Sequence, residues 1–288
     1  MPTELDNLID LLDLEQIEVN LFRGHSPKDR WQRVFGGQVI GQALIAATRT
    51  VHERHCHSLH AYFLRPGDPK VPILYEVDRA RDGRSFTARR VVAIQHGKQI
   101  LNLAASFQIV EPGLDHQDAM PPAPCPNTLP SEAELSAKIA NSVPKQFKPY
   151  FTKPWPMELR PVDPVDVLNP KQRPPSQAIW LRARQALPDN ESIHQSVLAY
   201  MSDLSLLDTA SRPHAVSFLS RRMAMSSLDH AMWFHRPFKA DNWLLYSQHS
   251  PSASGARGFS QGQVFDSDGR LVASVAQEGL MRLLPDKT

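Results

Sequence analysis

His60-Ala-Tyr-Phe-Leu-Arg-Pro66 and His230-Ala-Met-Trp-Phe-His-Arg-Pro237 are the two stretches on which the reading of the fold turns. Each runs from a histidine to Arg-Pro, and the two stand 170 to 171 positions apart. The correspondence continues downstream: Leu74-Tyr75 matches Leu245-Tyr246 at an offset of 171, and Gly97-Lys98 matches Gly269-Arg270 at 172. One Arg-Pro match is chance. Ordered agreement at several points over roughly 45 residues predicts an internal repeat.

Proline marks the joint between the copies. Of 25 prolines, 15 fall between Pro112 and Pro175, and a residue without a ladder donor is kept out of central strands. The expected division is a first unit over 1–111, a proline-rich connector over 112–175 and a second unit over 176–288. One helical island is expected near 131–141, with Ser131 as its N-cap and Glu134 three residues on. In the first unit Val39, Ile40, Ala43, Leu44 and Ala47 recur at helical spacing after Gly36-Gly37, so a buried helix is predicted to about Thr50. Strand-like runs follow at Leu59–Leu64, Ile73–Val77, Phe86–Gln95 and Gln99–Gln108, with Gly97 as a hairpin turn. The second unit repeats the order, its helix predicted over Ile193–Leu207 and its hairpin turn at Asp268-Gly269. Helix first and antiparallel strands after imply an α+β layer in which a sheet wraps a central helix, the hotdog arrangement, here twice in tandem. Asp203 falls among the apolar residues of the second helix, where a carboxylate is costly unless paired or used.

Bulk properties exclude other classes. The 288 residues carry 32 Lys plus Arg against 30 acidic residues, so no strong field for nucleic acid is expected. No stretch is long and apolar enough to span a bilayer. Met1–Leu12 carries Glu4, Asp6 and Asp10 with no basic residue, unlike a signal peptide. Cys56 and Cys125 form neither a CxxC nor a disulfide framework. The last residues, Pro-Asp-Lys-Thr, are not the Ser-Lys-Leu peroxisomal address. A cytoplasmic location is the expectation.

Six longer motifs follow one another along the chain: Leu21-Phe-Arg-Gly24, Val34-Phe-Gly-Gly-Gln-Val-Ile-Gly-Gln-Ala43, Tyr62-Phe-Leu-Arg-Pro-Gly-Asp68, Arg81-Asp-Gly-Arg-Ser-Phe86, Asp229-His-Ala-Met-Trp-Phe-His-Arg-Pro237 and Ala253-Ser-Gly-Ala-Arg-Gly258. In this order they make the chain resemble the acyl-CoA thioesterase II family of double-hotdog enzymes. The resemblance implies hydrolysis of medium- to long-chain acyl-CoA to fatty acid and CoA, with no metal or other cofactor, and a homodimer or homotetramer. It places the catalytic set on Asp203, Ser227 and Gln277, with Ser where bacterial relatives commonly carry Thr. Asp203 would activate a water held by Ser227 and Gln277. Carried back by the repeat, these positions fall on Ala46, His57 and Ala105, so one site per chain is expected. Arg65, Arg84, Arg236 and Arg257 are candidate partners for CoA phosphates.

The segment His52–His60 is histidine-rich but fits no standard zinc spacing, and a solvated connector is the better account. Gly258-Phe-Ser-Gln-Gly262 matches the G-x-S-x-G elbow, yet no histidine follows Ser260 and the context is strand-rich, so it is set aside. The aromatics Trp233, Phe234, Phe238, Trp243 and Tyr246 are expected in the core or an interface. A hotdog hydratase or dehydratase using His230 or His235 is the alternative enzyme, and a non-catalytic acyl-CoA sensor is the third reading.

Overall fold

The computed structural model describes residues 4–27, 33–153, 155–220 and 222–285. After α1 (Glu4–Leu12), β1 (Glu15–Glu18) and β2 (Leu21–Gly24), the first unit contains α2 (Gly36–Thr48), β3 (His55–Phe63), β4 (Ile73–Asp82), β5 (Phe86–Gln95) and β6 (Lys98–Gln108). Two short helices, α3 (Glu132–Ile139) and α4 (Lys148–Thr152), precede β7 (Met157–Pro161) and β8 (Ser176–Ala183). The second unit continues with α5 (Glu191–Ser202), α6 (Leu206–Ser211), β9 (Met223–Ser227), β10 (Asp229–Phe234), β11 (Leu244–Ser254), β12 (Arg257–Asp266) and β13 (Leu271–Leu283).

Among the described residues, thirteen strands form one sheet in the order β1-β2-β4-β5-β6-β3-β10-β13-β12-β11-β8-β7, with β9 added beside β13. Read from its centre the order is symmetric: β6 beside β3 answers β13 beside β10, and so outward to each edge. The central pair carries the repeat in its register. His60 faces Ala231 and Ala61 faces His230, the reciprocal pairing that strands related by a local twofold axis must show. Gly97 and Gly269, matched in the sequence, both turn their hairpins at positive φ, 68° and 81°.

The two halves bury a common core. Ile40, Ala43 and Leu44 of α2 have no exposed surface, and burying each large side chain stabilises the fold by roughly 1.5–3 kcal/mol. Tyr75 and Tyr246, partners in the repeat, are both fully buried, and each ties its strand to its own helix layer. The Tyr75 hydroxyl donates to Gln42 Oε1 at 2.6 Å, and that of Tyr246 to the Ser202 carbonyl at 3.3 Å. Tyr75→Phe should therefore cost about 1–3 kcal/mol by leaving the buried Gln42 Oε1 with only the long 3.5 Å bond from Gln38 Nε2; denaturant unfolding of the full chain measures it, and an unchanged midpoint refutes it.

Two elements depart from the sequence reading. The helix expected over 193–207 is broken: α5 ends at Ser202, residues 203–205 form a turn, and α6 starts at Leu206. The sheet supplies the reason. Tyr246 takes the Ser202 carbonyl, Gln177 Nε2 takes the Ser205 carbonyl at 3.1 Å, and Gln248 Nε2 donates to Ser205 Oγ at 2.8 Å. Backbone groups released by the break thus find buried partners. The second departure is β7, a strand inside the proline-rich stretch. It pairs with β8 alone and forms the sheet's edge, where Pro161 costs no ladder bond. The expected helix near 131–141 is present as α3, with Ser131 and Glu134 closing a capping box.

Candidate active site

Three polar side chains from separate elements meet at the break after α5. Asp203 is the C-cap of α5, held at φ −84° and ψ −4°. Ser227 ends β9 opposite Gly279, and Gln277 faces inward from β13 with 1% of its surface exposed. Ser227 Oγ donates to Asp203 Oδ1 at 3.0 Å, while Gln277 Nε2 donates to Asp203 Oδ1 at 2.6 Å and to Ser227 Oγ at 2.7 Å. One amide and one hydroxyl therefore converge on one carboxylate oxygen, leaving Gln277 Oε1 buried without a partner.

Local geometry explains why Ser227 points there. β9 and β10 lie along the same side of β13, and Leu228 between them belongs to neither. The Leu228 N–H donates to the Glu278 carbonyl and its carbonyl accepts from Phe63, while Asp229 Oδ1 accepts the Glu278 N–H. The strand is kinked and pinned at this point, as bulges beside functional sites commonly are.

The first unit completes the site. The backbone N–H of Gly37, in the first turn of α2, reaches the Asp203 carboxylate. A Cβ on Gly36 would lie 2.6 Å from Asp203 Oδ2, and one on Gly37 would lie 2.3 Å from the Tyr200 carbonyl oxygen. The glycine pair thus lets α2 touch α5 backbone to backbone and brings the positive end of the helix dipole to the acid. Burial pushes the Asp203 carboxyl up to about 6, against the opposing pull of the hydrogen bonds from Gln277, Ser227 and Gly37. A cavity of about 310 Å³ opens beside the group, bordered by Gly36, Phe63, Arg65 and Ser227.

A carboxylate of this kind beside a cavity suits proton abstraction. Residues 147–280 match the family described as acyl-CoA thioesterase, and residues 27–108 match the acyl-CoA thioesterase N-terminal domain. Acyl-CoA thioesterase 2 of Haemophilus influenzae is 42% identical over 96% of this chain and 98% of its own length. The chain belongs to the acyl-CoA thioesterase II family. Human acyl-coenzyme A thioesterase 8 is 41% identical over 96% of this chain and 88% of its own. The crystal structure of acyl-CoA thioesterase II TesB2 from Mycobacterium marinum superposes with a TM-score of 0.78 at 42% identity, covering 98% of this chain and 99% of that one. This thioesterase is thus a hydrolase with the double-hotdog fold expected from its sequence.

The four arginines scatter over the thioesterase. Arg65 lines the cavity beside Gly36, exposed and with one guanidinium nitrogen on the Gln99 carbonyl. Arg236 is bound to Asp115 and to the Leu271 carbonyl, and Arg257 pairs with Glu278. Arg84 sits exposed in the β4–β5 turn, its carbonyl accepting from Arg54. Neither histidine of the hydratase reading bonds to Asp203. His230 is fully buried with Nε2 at 2.8 Å from Ser202 Oγ, and burial pushes it down to about 3, so it stays neutral. His235 pairs with Ser274. Ser260 of the G-x-S-x-G match lies buried in the middle of β12, across from Gln277, and is no elbow. The histidine-rich segment is largely strand, since β3 begins at His55. Among the described residues no three His, Cys, Asp or Glu side chains are grouped to hold a metal, and no helix is long and apolar enough to cross a membrane.

The resemblance names Asp203, Ser227 and Gln277, which the structure brings within hydrogen-bond distance of one another, but it does not name Gly36 and Gly37. The glycines were read as the start of a helix. Their adjacency at a helix N-terminus whose N-cap, Phe35, offers no side-chain cap was the available signal that something else meets those N–H groups.

Proposed function

We propose that the enzyme hydrolyses medium- to long-chain acyl-CoA to free fatty acid and CoA by direct attack of a water on the thioester, with Asp203 as general base. The observation that carries this reading is the hydrogen-bonded group of Asp203, Ser227 and Gln277 beside the N-terminal turn of α2. Ser227 and Gln277 orient the water without competing for its proton, and Gln277 Oε1 is the spare acceptor near it. The first turn of α2 supplies N–H groups and dipole for the developing oxyanion. Ser227 is not the nucleophile, because its hydroxyl is given to Asp203 and no histidine stands behind it. Arg65, an exposed residue of the cavity lining, meets a CoA phosphate.

In this reading residues 1–111 act as scaffold and lend the first turn of α2 to the site, 176–288 carry the reacting side chains, and 112–175 join the two units. Free Cys56 and Cys125 agree with the reducing cytoplasm. Tyr62 and Trp233, 62% and 36% exposed on β3 and β10, favour a homodimer or homotetramer.

The test is release of free thiol from acyl-CoAs of graded length, since hydration would leave the thioester intact and a sensor would bind without turnover. The pH profile carries the sign of the mechanism. The base works ionised, so kcat falls about tenfold per unit as pH drops below about 6. A carboxylate left at its ordinary value near 3.8 would keep kcat flat to that pH, and a flat profile down to pH ~4 contradicts the assignment.

A further inference from the structure

A second cleft, of about 400 Å³, opens next to the α5–α6 break. Met201, Leu204 and Ser205 line it, residues that flank Asp203 in the chain, and Ile179, Leu181 and Phe218 extend it as an apolar trough. Its size is that of a small-ligand site, on the order of 300–1,000 Å³. One wall is out of character. Asp208 of α6 borders the cleft, and among the described residues no hydrogen bond or ion pair engages its carboxyl. The two arginines on the same lining, Arg173 and Arg212, are both taken by Asp163. Asp208 is half-buried in this apolar setting, and desolvation pushes its carboxyl up to about 7, so that near neutrality it serves as both donor and acceptor.

We propose that the acyl chain beyond the thioester lies in this cleft and that Asp208 reads it, selecting acyl groups with a hydroxyl near mid-chain over unsubstituted ones. The inference rests on the reading of Asp203 as the base that meets the thioester. Met201 and Leu204, on either side of Asp203 in the chain, line the cleft although Asp203 itself does not, and in this proposal the acyl chain enters past Leu204 on its way to Asp208. Asp208 lies five positions after Asp203, on the order of 10 Å of path, which puts the polar contact well beyond the carbons next to the thioester. An apolar chain leaves the Asp208 carboxyl desolvated and unpaired, whereas a hydroxyl at that depth supplies the missing partner.

The experiment compares kcat/KM of the full-length enzyme for palmitoyl-CoA and for isomers hydroxylated beside the thioester, at mid-chain and at the far end. The mid-chain isomer should be preferred by about tenfold, the scale of one hydrogen bond. Asp208→Leu should reverse that order, and Asp208→Asn, which keeps a donor and an acceptor, should retain it. Val216→Trp, which narrows the cleft from a loop, should lower kcat/KM for palmitoyl-CoA at least tenfold more than for butyryl-CoA. Equal rates for all isomers, or an order untouched by Asp208→Leu, overturns the role of Asp208; a Val216→Trp enzyme with unaltered chain-length dependence overturns the cleft. Absence of CoA release from every substrate refutes the thioesterase reading itself, a distinct result.

Discussion

Asp203→Asn is expected to lower kcat by about 10²–10⁴-fold, the range for loss of a positioned general base, while acyl-CoA still binds. Asparagine is nearly isosteric and still accepts hydrogen bonds from Ser227 and Gln277 through its carbonyl oxygen. It cannot take a proton from water. The loss should therefore appear in kcat rather than KM, and the limb near pH 6 should vanish with it. Stopped-assay thiol release and equilibrium binding of a long-chain acyl-CoA separate the two quantities. A variant with more than about a tenth of the native kcat would leave no room for a base whose removal costs so much.

Gly36→Ala should be nearly as damaging although alanine adds a single methyl group. That methyl would sit 2.6 Å from Asp203 Oδ2 and 2.9 Å from the Phe63 ring, so the carboxylate must move. A displacement on the order of 1 Å in a reacting group costs about 10²-fold in rate. Gly37→Ala is different in kind, because its methyl would meet the Tyr200 backbone oxygen at 2.3 Å. Overpacking of two helix backbones should cost about 1–3 kcal/mol of stability as well as activity. Thermal unfolding alongside kcat distinguishes them: Gly36→Ala is expected to melt close to the native enzyme, and Gly37→Ala below it. Native kcat in Gly36→Ala would show that α2 does not frame the site.

Much of this architecture was legible because it is periodic. Ile40, Ala43 and Leu44 announce α2, and the offset between Leu74-Tyr75 and Leu245-Tyr246 announces the second copy, because both are patterns along the chain. The proposed catalytic group was legible only through the family resemblance, which places its acid, hydroxyl and amide on Asp203, Ser227 and Gln277, all outside the long motifs themselves. What escaped depends on contacts between distant residues. The break after Ser202 is stabilised by Gln177, Tyr246 and Gln248, none of which leaves a mark near position 203. The edge strand β7 was hidden by Pro161 and its proline-rich surroundings, since a proline forbidden in a central strand is harmless at a rim. The kink at Leu228 is fixed by Glu278 and Phe63, fifty residues downstream and more than a hundred and sixty upstream.

The contact of Gly37 with Asp203 has a consequence for the chain as a whole. The acid comes from the C-terminal half, and the turn it leans on comes from the N-terminal half. Under the proposed mechanism neither half owns the reaction. A chain severed in the irregular stretch after β6 should give two inert fragments, each able to keep its own hairpins, that become an enzyme only when they meet again. Turnover after mixing should then rise with a rate proportional to both fragment concentrations, and catalysis would report reassembly.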